Sequence, residues 1–203
     1  MEKTDFKKSL KHLYQPSATQ VSFVDVPEMA FLMVSGIDAN GRAFQDAIQA
    51  LYGVSYKIKF HIKKTRNIDY GVMPLEALWW AEDMDDFING RKDRWHWTLM
   101  IMQPDIVLPA DVDLAIAEQR KKDNTEALSR LSYSRFREGP SAQLLHIGPF
   151  SAEGPNIQKI HAAIIARSGH FDGQVQKHHE IYLSDFRKTA PEKLKTVLRQ
   201  AYR

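Results

Sequence analysis

One pattern limits the folds open to this chain more than any other. An apolar strand, a glycine turn, a helix and further strand occur in that order twice. In the first half, Val21, Phe23, Val24 and Val26 form a strand that stops at Pro27, and Met29–Gly36 is a second strand ended by glycine. Asn40–Gly41 supplies turn chemistry. Phe44, Ile48, Leu51, Val54 and Ile58 then recur at three- and four-residue spacing, which predicts an amphipathic helix over 41–63. Two strands follow, within Gly71–Ala81 and Trp95–Gln103, and the polar segment 82–94 between them contains Asn89–Gly90, as a hairpin loop would.

A helix is predicted from Asp111, as N-cap, to Arg130. The second half then reads as a strand Ser132–Glu138, a turn at Gly139–Pro140 and an apolar strand Gln143–Ile147 closed by Gly148–Pro149. Glu153–Gly154–Pro155 starts a helix carrying Ile157, Ile160, Ile164 and Ile165. His179–Ser184 is the final strand, and Pro191–Arg199 a short closing helix. Residues 1–20 read as a leader with a short amphipathic helix, Asp5–Leu13, and a break at Pro16–Ser17. MAFLMVSGI at 29–37 lines up with SAQLLHIGP at 141–149, and PLEALWW at 74–80 with HHEIYLS at 178–184, which matches Glu76 with Glu180.

The expected product is one α+β domain, since 203 residues with 43% hydrophobic content can bury a sizeable core. The chain has no cysteine, so disulfides, thiolate nucleophiles and Cys-based zinc sites are excluded. The N-terminus lacks the apolar region of a signal peptide, and no stretch reaches the roughly 18 apolar residues of a spanning helix. A cytoplasmic protein with no membrane partner is expected. The formal charge of +3 is small, and the basic runs 57–66 and 187–199 read as solvated helix faces, so no nucleic-acid partner is expected. No GxSxG elbow, phosphate-cradling glycine loop or HExxH pair is present.

Strand alternation places His178, Glu180, Tyr182 and Ser184 on one face, with His179, Ile181 and Leu183 on the other. Glu76, Leu78 and Trp80 share a face, as do Trp95, Trp97, Leu99 and Ile101. Taken singly, each tryptophan is more often core than ligand contact. A mid-strand carboxylate, however, is costly to bury without a partner. Two of them, each near an aromatic ring, fit a pocket for a flat or cationic guest. The competing account is that Glu76 or Glu180 faces water or meets Lys or Arg across the sheet. His178 and His179 point opposite ways and cannot easily share a metal ion, while His146 and His161 fit core or surface positions.

GPSAQLLHIGPFSAEGPNIQKIHAAI (139–164) and HHEIYLSDFRKTAPEKLKTVLRQ (178–200) resemble the GyrI-like small-molecule-binding proteins, and more narrowly their stand-alone branch. DFKKSLKHLYQPS (5–17), VDVPEMAFLMVSG (24–36) and PLEALWW (74–80) fit the same branch. Phe186 departs from it, standing where proline is expected. The resemblance implies two strand-helix-strand-strand modules (21–110 and 131–203, joined by 111–130) about a pseudo-twofold axis, with a ligand cleft between them. A monomer or weak dimer without metal or cofactor is expected. The resemblance also implies binding or sequestration of small aromatic or lipophilic cationic molecules, with Glu180 as the acidic group. The alternative it implies is hydrolysis of strained cyclopropane-bearing genotoxic natural products in the same cleft. Glu180 would then be the base, and Tyr182 would orient water or donate to the leaving oxygen. The candidate ligand-binding set is Glu76, Trp80, Trp95, Trp97, Glu180 and Tyr182, together with His146 and Phe150.

Overall fold

The computed structural model describes residues 2–83 and 85–203. The leader forms a short strand, β1 (Glu2–Thr4), and two one-turn helices, α1 (Phe6–Ser9) and α2 (Lys11–Tyr14). Then come β2 (Ser22–Ile37), α3 (Arg42–Arg66), β3 (Ile68–Tyr70), β4 (Leu75–Trp80), α4 (Asp85–Ile88) and β5 (His96–Gln103). The remainder is α5 (Pro109–Lys122), α6 (Glu126–Arg130), β6 (Ser132–Ile147), α7 (Gly154–Ile165), β7 (His178–Tyr182) and β8 (Lys195–Ala201). The fold is α+β. Six strands close into an antiparallel barrel in the order β2-β5-β4-β7-β8-β6, while β1 and β3 pair in parallel beside it.

Several local expectations change, each for a tertiary reason. Pro27 and the Gly139–Pro140 pair do not end strands, because β2 and β6 run through them as single strands of 16 residues. Proline cannot donate to a ladder and needs an open edge. Each long strand has one there: β5 joins β2 only from Ala30, and β8 joins β6 only from Ser141. The expected closing helix is a single turn at Pro191–Lys193 followed by β8, which fills the gap between β7 and β6. Asp111 is not an N-cap. It lies at the third position of α5, where its carboxylate accepts from Leu108 N at 2.8 Å and from Arg66 at 2.7 Å. That helix stops at Lys122, and α6 is separate. The leader helix is split at Leu10, and the segment expected as a hairpin loop contains α4.

Helix α3 buries Phe44, Ala47, Ile48, Leu51, Val54, Ile58 and Ile62, an apolar stripe at helical spacing, against the outer face of the barrel. A smaller cluster joins α7, through Ile160 and Ile164, to Leu144 and Leu198 on the same outer face. Gly36 permits the closest approach. A methyl group there would lie 2.3 Å from the Trp97 ring, which is fully buried and meets Phe44 edge-on at 5.3 Å. Gly36→Ala is expected to destabilise the protein by about 1–3 kcal/mol through overpacking, read from the urea midpoint. Unchanged stability would mean that the indole can move aside.

Candidate functional site

Register decides which side chains meet. Glu180 pairs with Ala77 and His178 with Trp79, so these side chains share the outer face with the helices. Glu76 pairs with Ile181 and Leu78 with His179, which puts Glu76 and His179 on the barrel interior. The two carboxylates matched by sequence therefore serve different places.

On the outer face, a cavity of about 550 Å³ lies between the start of α3, the start of α7 and strands β4 and β7. One wall is Phe44 stacked on Trp79 at 5.7 Å, with Trp95 edge-on to Trp79 at 6.0 Å and stacked on Phe87 at 4.6 Å. The facing wall is a triangle of Phe150, Tyr182 and Phe186, with ring centres 5.7–6.1 Å apart. Between the walls stand Glu180 and Glu153.

These two carboxyl groups differ in environment. Burial alone would raise the Glu180 carboxyl, but its polar neighbours outweigh that and hold it below the usual value. The His178 Nε2 lies 3.3 Å away, off the line of a hydrogen bond. The Tyr182 hydroxyl donates to Glu180 Oε2 at 2.7 Å and itself accepts from Trp79 Nε1 at 3.2 Å. Glu153 has less help, from the Thr196 side chain alone. It is buried with its Oε1 unpartnered. Burial, followed by the charge of Glu180, pushes its carboxyl up to about 9. Glu153 also caps α7, whose N-terminus attracts negative charge, but that effect is worth only about 0.3–1 kcal/mol, less than one pKa unit. Near neutral pH the cavity holds one carboxylic acid and one carboxylate.

A family model for the GyrI-like small molecule binding domain matches residues 19–199. The chain belongs to this family. Two solved structures from Listeria innocua resemble this GyrI-like protein over nearly its full length. An uncharacterized conserved protein is 39% identical, with a TM-score of 0.87, covering 98% of this chain and 99% of its own. A protein described as a hydrolase is 38% identical, with a TM-score of 0.84 and the same coverage. The EcmrR C-terminal domain shares the fold alone, at 9% identity and a TM-score of 0.54 over 91% of this chain and 97% of its own. No curated protein matches the chain.

In this GyrI-like domain Trp95, Phe150, Glu180 and Tyr182 come together at the cavity. Phe186 stands there too and supplies a wall ring. The other expected ligand contacts lie elsewhere. Trp80 stacks on His96 and carries Lys177 over its ring at 3.6 Å. Trp97 is a layer behind, under Phe44, donating to the Asp38 carbonyl at 3.3 Å. His146 is buried beneath the turn before α7: its Nε2 donates to Pro149 O at 3.2 Å and its Nδ1 accepts from Asn156 at 3.0 Å. It holds in place the turn that carries Phe150 and Glu153.

Glu76 anchors an interior network. It accepts from Tyr14 at 2.7 Å and from His179 at 3.0 Å. The other nitrogen of His179 donates to Glu138 at 2.9 Å, and Arg199 donates to Glu138, Gln143 and the Leu13 carbonyl. Burial works against charge on both Glu138 and His179, yet their mutual attraction prevails, holding Glu138 at about 2 and His179 at about 9. Leader and barrel are thereby locked together. Sequence reasoning missed Glu153 because a Glu-Gly-Pro triplet reads as a helix start. It missed Arg199 because that segment was expected to be helical. Among the described residues no three His, Asp or Glu side chains are grouped to hold a metal, and no helix is long and apolar enough to cross a membrane.

Proposed function

We propose that this protein is a small-molecule hydrolase, which encloses a flat aromatic electrophile in the cavity and adds water across a strained bond. One observation carries the proposal: Glu153 and Glu180, in a single aromatic-walled cavity, are pushed in opposite directions by their surroundings. Glu180 takes a proton from water as its oxygen bonds to the strained carbon. The pair of the breaking carbon–carbon bond moves to the conjugated oxygen of the ligand, and Glu153 delivers its proton there. Substrate and water thus become one ring-opened product, and proton transfer from Glu180 to Glu153, directly or through water, restores the pair. Tyr182 is a positioning residue, because its hydrogen is already committed to Glu180. The chemistry uses no metal or cofactor, and the work falls to one domain, with modules 21–110 and 131–203 flanking the cleft. The 38%-identical relative described as a hydrolase supports the reaction class. The substrates implied by resemblance, cyclopropane-bearing aromatic alkylators, suit the cavity walls.

Incubation with such an alkylator is expected to give its water adduct faster than buffer does, and Glu180→Gln should return the rate to that of buffer. Intact compound carried along with the protein would instead establish sequestration, a reading favoured by the ionised Glu180 among rings that attract cations. Tyr182→Phe removes a hydrogen bond to a charged group, worth about 1.5–3 kcal/mol. The acid limb of the pH–rate profile should therefore move up by about 1–2 units. An unmoved limb would show that Tyr182 does not tune the base.

A further inference from the structure

We propose that an open groove on the other side of the Ser184–Lys188 segment is a second binding site, for a small planar aromatic anion. The groove encloses about 840 Å³, within the range of small-molecule sites. Its floor is a ladder of three rings on α3. Tyr52, Tyr56 and Phe60 recur every four residues, so the helical rise of about 6 Å per step sets their spacing. Their ring centres are 6.4 and 6.3 Å apart and the planes are tilted by only 29° and 25°. Tyr56 is 47% exposed and Phe60 57%, so a flat guest can reach both rings, and Lys59 Nζ lies 5.6 Å over the Phe60 ring. Neither ring is needed by the barrel core or by the hydrolytic cavity.

Charge selects the guest. The lining carries Lys7, Lys57, Lys122, Arg187 and Lys188 against Asp123 and Asp185, a surplus of three positive charges that equals the formal surplus of the whole chain. Arg187 is fixed by two hydrogen bonds to Asp185, at 2.9 and 3.0 Å. Among the described residues Lys57 and Lys122 form no ion pair with any carboxylate, so their charge is available. A second copy of this chain would present the same positive groove and be repelled. A flat ring bearing a phosphate or sulfonate matches both features: the ring lies on the aromatic ladder and the anion meets the lysines. Phe186 lines the hydrolytic cavity while Arg187 and Lys188 line the groove, and Tyr182 borders both.

Flavin mononucleotide tests this, with riboflavin as the same ring without the phosphate and oligothymidylate as the polymer control. Titration is expected to quench flavin mononucleotide fluorescence saturably, with affinity falling as salt rises. Riboflavin should bind about tenfold more weakly, and Phe60→Ala, Tyr56→Ala and Lys57→Glu should each weaken the mononucleotide by about tenfold. Thermal melts verify that these exposed-site variants remain folded. Glu180→Gln should leave this affinity unchanged, which separates the groove from the hydrolytic cavity. The proposal is overturned by equal binding of riboflavin, by wild-type affinity in both ring variants, or by loss of binding in Glu180→Gln. Much tighter binding of oligothymidylate also overturns it, since the occupant would then be a strand.

Discussion

Glu153→Gln is expected to cut hydrolysis by about 10²–10⁴-fold while making the protein more stable at neutral and alkaline pH. Both effects come from one buried group. Folding lifts the Glu153 carboxyl from 4.5 to about 9, so the folded protein keeps a proton that the unfolded chain releases. Stability from this group is complete below pH 4.5 and drains away as pH rises through 9. Glutamine has the same shape and cannot ionise, so the variant escapes that loss. The gap between variant and wild type should widen with pH, by up to about 1.4 kcal/mol per unit above pH 4.5, read from urea midpoints. Activity and stability should move in opposite directions, as they do where a site stores unfavourable electrostatics. A variant that is both active and less stable at pH 8 would remove Glu153 from the acid role.

The largest loss of stability is expected from Arg199→Met. The guanidinium is buried and bonds to Glu138, Gln143 and the Leu13 carbonyl. Removing it leaves those acceptors in the interior without their donor, and breaking one side of a buried charge pair costs about 3–5 kcal/mol. The pH dependence identifies the network. His179 rises from 6.5 to about 9 on folding, so its contribution is full below pH 6.5 and is lost through pH 9. Glu138 falls from 4.5 to about 2, so its contribution is full above pH 4.5 and is lost as pH drops through 2. The network therefore supports the fold most fully between pH 4.5 and 6.5. In Arg199→Met the acid limb should begin at higher pH, because Glu138 retains only His179. A loss below about 1 kcal/mol would mean that the cluster relaxes around the missing cation.

The sequence was most legible where the signal is local. The spacing of Phe44, Ile48, Leu51 and Val54 marked α3, and alternation in HHEIY put Glu180 beside Tyr182. The same alternation separated Glu180 from His179, and they do lie on opposite faces. It failed for Glu76, which alternates correctly within β4 but meets β7 in a register that turns it inward, opposite Ile181. Pro27 and Pro140 were read as breaks. Both sit on strand edges that are open only because of where β5 and β8 begin.

The amino-acid order alone determined α3, α7 and the strands β4, β5 and β7, the aromatic and acidic character of β7 and the absence of thiol chemistry, because these depend on residues within a few positions of one another. Only the tertiary structure decided that Glu153, rather than Glu76, faces Glu180 and that Arg199 closes an interior ion network. Inter-strand register and exclusion of water are set by segments as distant in sequence as Leu13 and Arg199. No local pattern encodes how far a carboxyl group is removed from solvent.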